Sequence, residues 1–334
     1  MNFLLVLFIL NIFYVLFFER LSNLINLFDS PDGIRKFHKN SVSSIGGFLI
    51  LFNLLIYFFF IEYKYFYLNE NILYFDNFNF ITFIFFSIFF FLIGLIDDKF
   101  NLNPNVKLII FSFAICILLY VSDDLLLINL QFSFFKNPIN IDFIVFPFLI
   151  LCILLYLNAF NMFDGINLQS SLYSINIFFI FLLNGIFIDI SIVMILSLSF
   201  FSYLNYKNKC FLGDNGSLLI GFIISYLFIK SQNTNNPILA DEIFLAMQVP
   251  GLDLLRLAIT RIYNKKHPFH ADRNHIHHIL LKKIGYIKTL AVMNIIIIIP
   301  NYLSILYGYT LYFIILTLLI YGFIVFKFKN KVRY

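Results

Sequence analysis

The chain has 334 residues, 61% of them hydrophobic and 12% charged, with a mean hydropathy of +0.90 and a formal net charge of +5. A soluble domain carries about twice that charged fraction, so the composition excludes an ordinary soluble globular protein. Apolar stretches long enough for a bilayer, ~17–25 residues, recur along the whole length. Cys116, Cys152 and Cys210 lack paired spacing and imply neither a disulfide framework nor a zinc site.

In chain order, eleven apolar spans are expected, at 2–18, 45–62, 80–96, 106–121, 143–158, 169–184, 187–204, 215–230, 242–260, 287–305 and 309–326. The first lacks a basic leader and a small-residue cleavage site, and reads as a retained helix. An odd number puts the termini on opposite faces. With the N-terminus outside and the C-terminus in the cytoplasm, 20 of the 23 basic residues fall on the inner side. Only Lys64, Lys136 and Lys230 fall outside, and the positive-inside rule favours that orientation. The expected fold is an all-α polytopic membrane protein of about eleven transmembrane helices, a single integral-membrane unit over 1–334.

On the same reading, Asp97, Asp98, Asp164, Asp214, Asp253 and Asp272 gather at inner span ends or inner loops. A merely basic inner surface has no need of them. They point to one site assembled from several cytoplasmic loops.

Five polar islands carry the chemistry. The first runs from Asp29 to Lys39, with Lys36 and His38, and is followed by Gly46-Gly47 at a helix start. Free backbone N–H groups there suit an anion; close packing of the glycine pair is the plainer alternative. The second is Asp97-Asp98-Lys99 at the end of a span, with Lys107 one stretch on. Adjacent carboxylates repel unless a cation or proton separates them, and Mg²⁺ takes such oxygens together with substrate phosphates. The third places Asn158, Asn161, Asp164 and Asn167 every three residues, along one side of a helix end. The fourth, Gly213-Asp214-Asn215-Gly216-Ser217, offers Asp214 as an N-cap or a metal ligand.

The fifth holds five of the six histidines, from His267 to His278. His275, His277 and His278 lack the i, i+4 spacing of a helical zinc site, and Arg273 opposes a bound cation. Histidines beside an arginine are instead donors for an oxygen-rich anion such as a pyrophosphate. Asp253 and Arg256 stand at i, i+3, the spacing of a helical salt bridge. Carboxylates for a divalent ion, basic groups for phosphates and a membrane boundary together fit phosphoryl transfer between a soluble donor and a lipid. A transporter, the competing class, places its charges near the bilayer midplane of repeated halves; here they sit at inner ends and no internal repeat is visible.

From about Asp29 to Lys283, the islands resemble the polyprenyl-phosphate N-acetylhexosamine-1-phosphate transferases, a glycosyltransferase family 4 superfamily. The His275-Ile-His277-His278 form is similar to the WecA/TagO branch rather than the muramyl-pentapeptide branch. Two positions depart from the family pattern: Ser43 stands where a proline is usual, and Asn167 where a second aspartate is common. The resemblance implies transfer of an N-acetylhexosamine-1-phosphate from a UDP-sugar to undecaprenyl phosphate, with release of UMP. The alternative is the phospho-N-acetylmuramoyl-pentapeptide reaction. It further implies Mg²⁺, or Mn²⁺ in its place, and a multi-pass protein of the bacterial cytoplasmic membrane, with dimers known in the superfamily. Asp214, Asp97 and Asp98 would hold the metal, and Asp97 and Asp98 would also serve as the catalytic pair. Asn158, Asn161, Asp164 and Asn167 would hold the nucleotide-sugar. Arg273, His275, His277 and His278 would bind pyrophosphate, with Lys36, His38 and Lys107 as further contacts.

Overall fold

The computed structural model describes residues 3–30, 41–68, 76–268 and 274–329. The chain there is almost wholly helical. The helices are α1 (Phe3–Leu16), α2 (Phe18–Ile25), α3 (Gly46–Leu68), α4 (Asn77–Phe100), α5 (Pro104–Val121), α6 (Val145–Phe163), α7 (Gln169–Leu183), α8 (Ile188–Tyr206), α9 (Gly213–Ser231), α10 (Ala240–Tyr263), α11 (Ile276–Ile284), α12 (Tyr286–Tyr307) and α13 (Thr310–Lys329). Two antiparallel pairs of two-residue strands complete it: β1 (Phe28–Asp29) with β2 (Val42–Ser43), and β3 (Asn129–Leu130) with β4 (Ile139–Asn140).

Each expected span contains a helix. Among the described residues, eight helices are long and apolar enough to cross a membrane, and α1 with α2, bent by 70°, makes a ninth if the pair is one span. At 15 residues α7 is shorter, about 22 Å at the α-helical rise. Several helices outrun the apolar run that announced them. The run 80–96 is the middle of α4, which continues through Asp97-Asp98-Lys99 to Phe100. The charged residues are its last turn, not a loop after it. The histidine string, read as loop, is capped by His275 and enters the short helix α11.

The centre of the bundle is α9. Every residue from Asn215 to Ser231 is buried, because α3, α4, α6 and α7 all pack on it. Its aromatic neighbours interlock: Phe222 stacks on Phe90 with centroids 4.8 Å apart, and Tyr226 meets Phe83 at 4.8 Å. A helix enclosed on all sides has a fixed axis, and its first turn is correspondingly fixed. That first turn is Gly213-Asp214-Asn215.

Glycine lets the neighbouring helices come close. A Cβ on Gly94 of α4 would lie 2.3 Å from the carbonyl oxygen of Asp214 and 2.5 Å from Asn215 Cα. A Cβ on Gly47 of α3 would lie 2.6 Å from the Gly216 nitrogen. The Gly46-Gly47 pair is therefore a packing surface for α9. Its N–H groups donate to protein: Gly46 to the Phe211 carbonyl at 3.1 Å and Gly47 to that of Leu212 at 3.3 Å. Of the two readings of the pair, close packing is the one the structure shows. Ser43, in the family's proline position, accepts the Phe211 N–H at 2.8 Å and turns its hydroxyl to the Leu27 carbonyl.

Candidate active site

Four helix ends meet at one end of the bundle: the last turns of α4 and α6, and the first turns of α5 and α9. The link from α4 to α5 is short because its ends are well capped. Asn101 closes α4 at φ +51°, and Asn103 caps α5 by accepting the Asn105 N–H, with Pro104 following. This turn carries Lys107 back over α4, where its ammonium pairs with Asp97. The other oxygen of Asp97 accepts the Leu102 N–H at 2.8 Å. Asp97 is buried, and Lys107 is its counter-ion.

Asp98 faces the other way. Its Oδ1 accepts the backbone N–H of Asp214 at 2.9 Å, and its Oδ2 accepts that of Asn215 at 3.0 Å. The Asn215 side-chain amide also donates to Oδ2. Asp98 thus caps α9 from a different helix, satisfying N–H groups that a helix start leaves open. The acid that the sequence offered as a cap, Asp214, is itself freed for the site. Gly213 makes room for this contact: it sits at φ +72°, and a Cβ there would approach Asp98 Oδ2 to 2.8 Å.

Asn161 of α6 completes the group. Its amide donates to Asp214 Oδ1 at 2.7 Å and to the Ser217 hydroxyl at 2.9 Å. The rest of the every-third-residue string does not share this point. Asn158 donates to the Leu154 carbonyl of its own helix at 2.7 Å. Asp164 accepts the Ser170 hydroxyl; burial pushes its carboxyl up to about 6, and nearby Asp98 adds to the rise. Asn167 ties the α6–α7 turn to the end of α8, donating to the Asn205 carbonyl at 2.9 Å and to Asn208 Oδ1 at 2.7 Å. Both amide hydrogens of Asn167 are used inside the protein. The turn it holds includes Leu168 at φ +65°, a costly conformation that the Asn205 side chain pins through the Leu168 N–H.

The histidines are held from below by Asp253 of α10. Its Oδ2 lies 2.8 Å from His275 Nδ1. Its Oδ1 accepts the Ile276 N–H at 3.1 Å, Arg256 at 2.7 Å and the Tyr321 hydroxyl at 2.9 Å. The i, i+3 salt bridge expected between Asp253 and Arg256 is present. His275 and His277 stack, with centroids 5.3 Å apart and planes at 14°, and His278 meets His277 edge-on at 4.3 Å. His277 is fully buried, next to Gln169. Burial pushes its pKa well below the ordinary histidine value, and its two neighbouring histidines push the same way. Its surroundings thus favour the uncharged ring. Gly165 is shaped to it: a Cβ there would lie 2.0 Å from His277 Nε2. Lys36, His38 and Arg273 lie outside the described residues.

Sequence reasoning passed over Gly94, Gln169, Asn205 and Tyr321, which position the site without belonging to any polar island. Only contact across the fold identifies them.

The donor set bears on a metal. Asp97, Asp98 and Asp214 interact directly, with Lys107 as the nearest cation. Three carboxylates and one ammonium leave two negative charges in excess, which a divalent cation or protons must offset. Among the described residues, no three His, Cys, Asp or Glu side chains are preset to grip an ion by themselves. That pattern fits Mg²⁺, which commonly takes one or two carboxylates and completes its shell with water and substrate phosphates.

With the geometry in view, the chain was compared with known proteins. Residues 80–232 match the family described as glycosyl transferase family 4. This segment is similar to a family 4 glycosyl transferase. It spans α4 to α9, and so contains the Asp97-Asp98 pair, the asparagine string and Asp214. Over 287 residues the chain is 24% identical to the undecaprenyl-phosphate alpha-N-acetylglucosaminyl 1-phosphate transferase of Escherichia coli O157:H7, covering 82% of this chain and 74% of that one. A protein of the same description from Thermotoga maritima is 28% identical over 268 residues, 79% of this chain and 76% of the relative. One from Haemophilus influenzae is 35% identical over 77 residues, 23% of this chain and 22% of that one. The resemblance read from the motifs therefore holds over most of the chain.

Proposed function

We propose that the protein transfers an N-acetylhexosamine-1-phosphate from a UDP-sugar to undecaprenyl phosphate, giving undecaprenyl-pyrophosphoryl-sugar and UMP. The observation that carries this is the cross-helix chain Asp98–Asp214–Asn161, which brings three of the polar islands together at one end of an apolar bundle. The relatives' names support the same lipid and the same transferred group. The basic bias supports that end lying in the cytoplasm, where nucleotide-sugars are.

In this reading, an oxygen of the lipid phosphate attacks the phosphorus that bears the sugar. The new P–O bond forms as the bond to the UMP oxygen breaks. Asp214 would hold Mg²⁺, with Asp97 beside it. Bound there, the ion would offset the charge of the pyrophosphate and of the transition state. Asp98 fixes where Asp214 stands. Asp97, with Lys107 as its counter-ion, would orient the lipid phosphate and take its proton. Arg273 and His278 would supply donors to the pyrophosphate, with His275 beside them.

The test is direct. Purified protein in detergent is given undecaprenyl phosphate, Mg²⁺ and each of a panel of radiolabelled UDP-N-acetylhexosamines. Labelled lipid and UMP in equal amounts are expected with at least one sugar. No labelled lipid with any of them would overturn the proposal.

A further inference from the structure

We infer that Asp253 is a positioning residue for the reaction, which holds His275 as the tautomer with its proton on Nδ1 and so leaves Nε2 as the acceptor nitrogen turned to the substrate. The inference rests on the transferase reading for its substrate, but not for its geometry. Asp253 is buried in α10 and accepts three donors on one oxygen, which leaves Oδ2 for the imidazole. A carboxylate accepts and cannot donate, so the 2.8 Å contact requires the hydrogen on Nδ1. In the neutral ring, the lone pair is then on Nε2.

Three features make this arrangement rigid. The Ile276 N–H on Oδ1 anchors the start of α11 immediately after His275. Arg256 spans the junction, donating to Asp253 at 2.7 Å, to the Tyr321 hydroxyl at 2.9 Å and to the Asn274 carbonyl at 2.6 Å. Tyr321 arrives from α13, so α10, α11 and α13 all meet on one carboxylate. Among the described residues, the charged and titratable groups facing His275 are Asp253 and Arg256 from α10, His277 and His278 from its own segment, and Tyr321 from α13. Asp253 is the one acid among them. The same carboxylate–histidine pairing orients the histidines of many metal sites, where its loss costs about 10–100-fold.

The experiment uses full-length protein in detergent, labelled with ¹⁵N-histidine. His275 is assigned by the signal missing from His275→Gln. The expected spectrum of neutral His275 is that of the Nδ1–H tautomer. The Nε2–H tautomer in the unsubstituted protein overturns the inference, with no need for an Asp253 variant that folds. A second arm measures transfer in both single variants and the double. A loss of about 10–100-fold in Asp253→Asn that vanishes on the His275→Gln background is expected; additive losses mean that Asp253 acts only on the fold, and overturn it. If no UDP-sugar gives labelled lipid, the transferase reading fails, while the spectrum still decides the role of Asp253.

Discussion

The carboxylate of Asp98 accepts the backbone N–H of Asp214 from 116 residues away in sequence, at 2.9 Å. One acid thereby sets the position of another. Three N–H donors converge on the two oxygens of Asp98. An asparagine there keeps one oxygen and turns an NH₂ toward groups that are themselves donors, so at least one buried N–H loses its partner. Such a loss costs about 1–3 kcal/mol. Displacing Asp214 by a fraction of an ångström would cost up to about 10²-fold in rate. Asp98→Asn is expected to lower both the thermal midpoint in detergent and the rate of UMP release. A variant with the normal midpoint and the normal rate would show that the cap does not hold Asp214.

Asn161 links α6 to the same acid. Its amide is the neutral neighbour that three crowded carboxylates can tolerate. Asn161→Ala removes one donor and should slow transfer about 10-fold, the scale of a single hydrogen bond to a charged group. Asn161→Asp adds a fourth negative charge 2.7 Å from Asp214 Oδ1. It should be the more damaging of the two at neutral pH and should recover part of the loss on acidification, as one carboxyl takes up a proton. Equal pH–rate profiles for the two variants would remove the charge argument.

How much of this was legible beforehand depends on range. Asp97, Asp98, Asp214 and the histidine string stand out because polar residues interrupt apolar runs, and the energetic reason is local: hydrocarbon cannot satisfy them. Their division of labour is not local. Asp97 and Asp98 are adjacent in sequence, and nothing in that pair says that one turns to Lys107 and the other to the start of α9. The every-third-residue spacing grouped Asn158, Asn161, Asp164 and Asn167, yet α6 ends at Phe163, so a helical period does not apply to the last two. Asn167 was read from its kinship to an acid, while its partners, Asn205 and Asn208, come from the far end of α8. The glycine pair was ambiguous for a similar reason: a helix start that binds an anion and one that packs on a neighbour share one sequence pattern. The expectation that acids from several inner loops share one site, in contrast, drew on the whole chain, and Asp98 and Asp214 do meet across helices.

Asp164 gives a pH-dependent stability with a defined sign. Its carboxyl is pushed up to about 6 in the fold, from an ordinary value of 3.8. Between those values the folded state holds a proton that the unfolded state has released, so this group's contribution to stability falls as pH rises through the window. The amide introduced by Asp164→Asn does not ionise, and its oxygen can keep the Ser170 hydroxyl. The variant's thermal midpoint should match that of the unsubstituted protein near pH 4, draw ahead between about 4 and 6, and hold a constant lead at pH 7 and above. Melting curves in detergent across that range check it. A lead already complete at pH 4, or none at pH 7, contradicts the raised ionisation.

Gly94 tests whether the site depends on how closely α4 approaches α9. A methyl group there would meet the Asp214 carbonyl oxygen at 2.3 Å and Asn215 Cα at 2.5 Å, and both are backbone atoms of a helix enclosed on all sides. Neither can rotate away, so α4 must move. Gly94 lies one helical turn before Asp98, on the same face of α4. Any shift that relieves the methyl therefore also lifts the Asp98 carboxylate from the N–H groups it caps. Overpacking of this kind costs about 1–3 kcal/mol, and the activity should fall with it. Gly322 of α13 is the control: a methyl group on it would have no heavy atom within 4 Å, and alanine is the better helix former by up to about 1 kcal/mol. Gly94→Ala is expected to lose both stability and transfer, and Gly322→Ala to keep both. A Gly94→Ala protein that melts normally but is inactive would place the glycine against substrate rather than against α9.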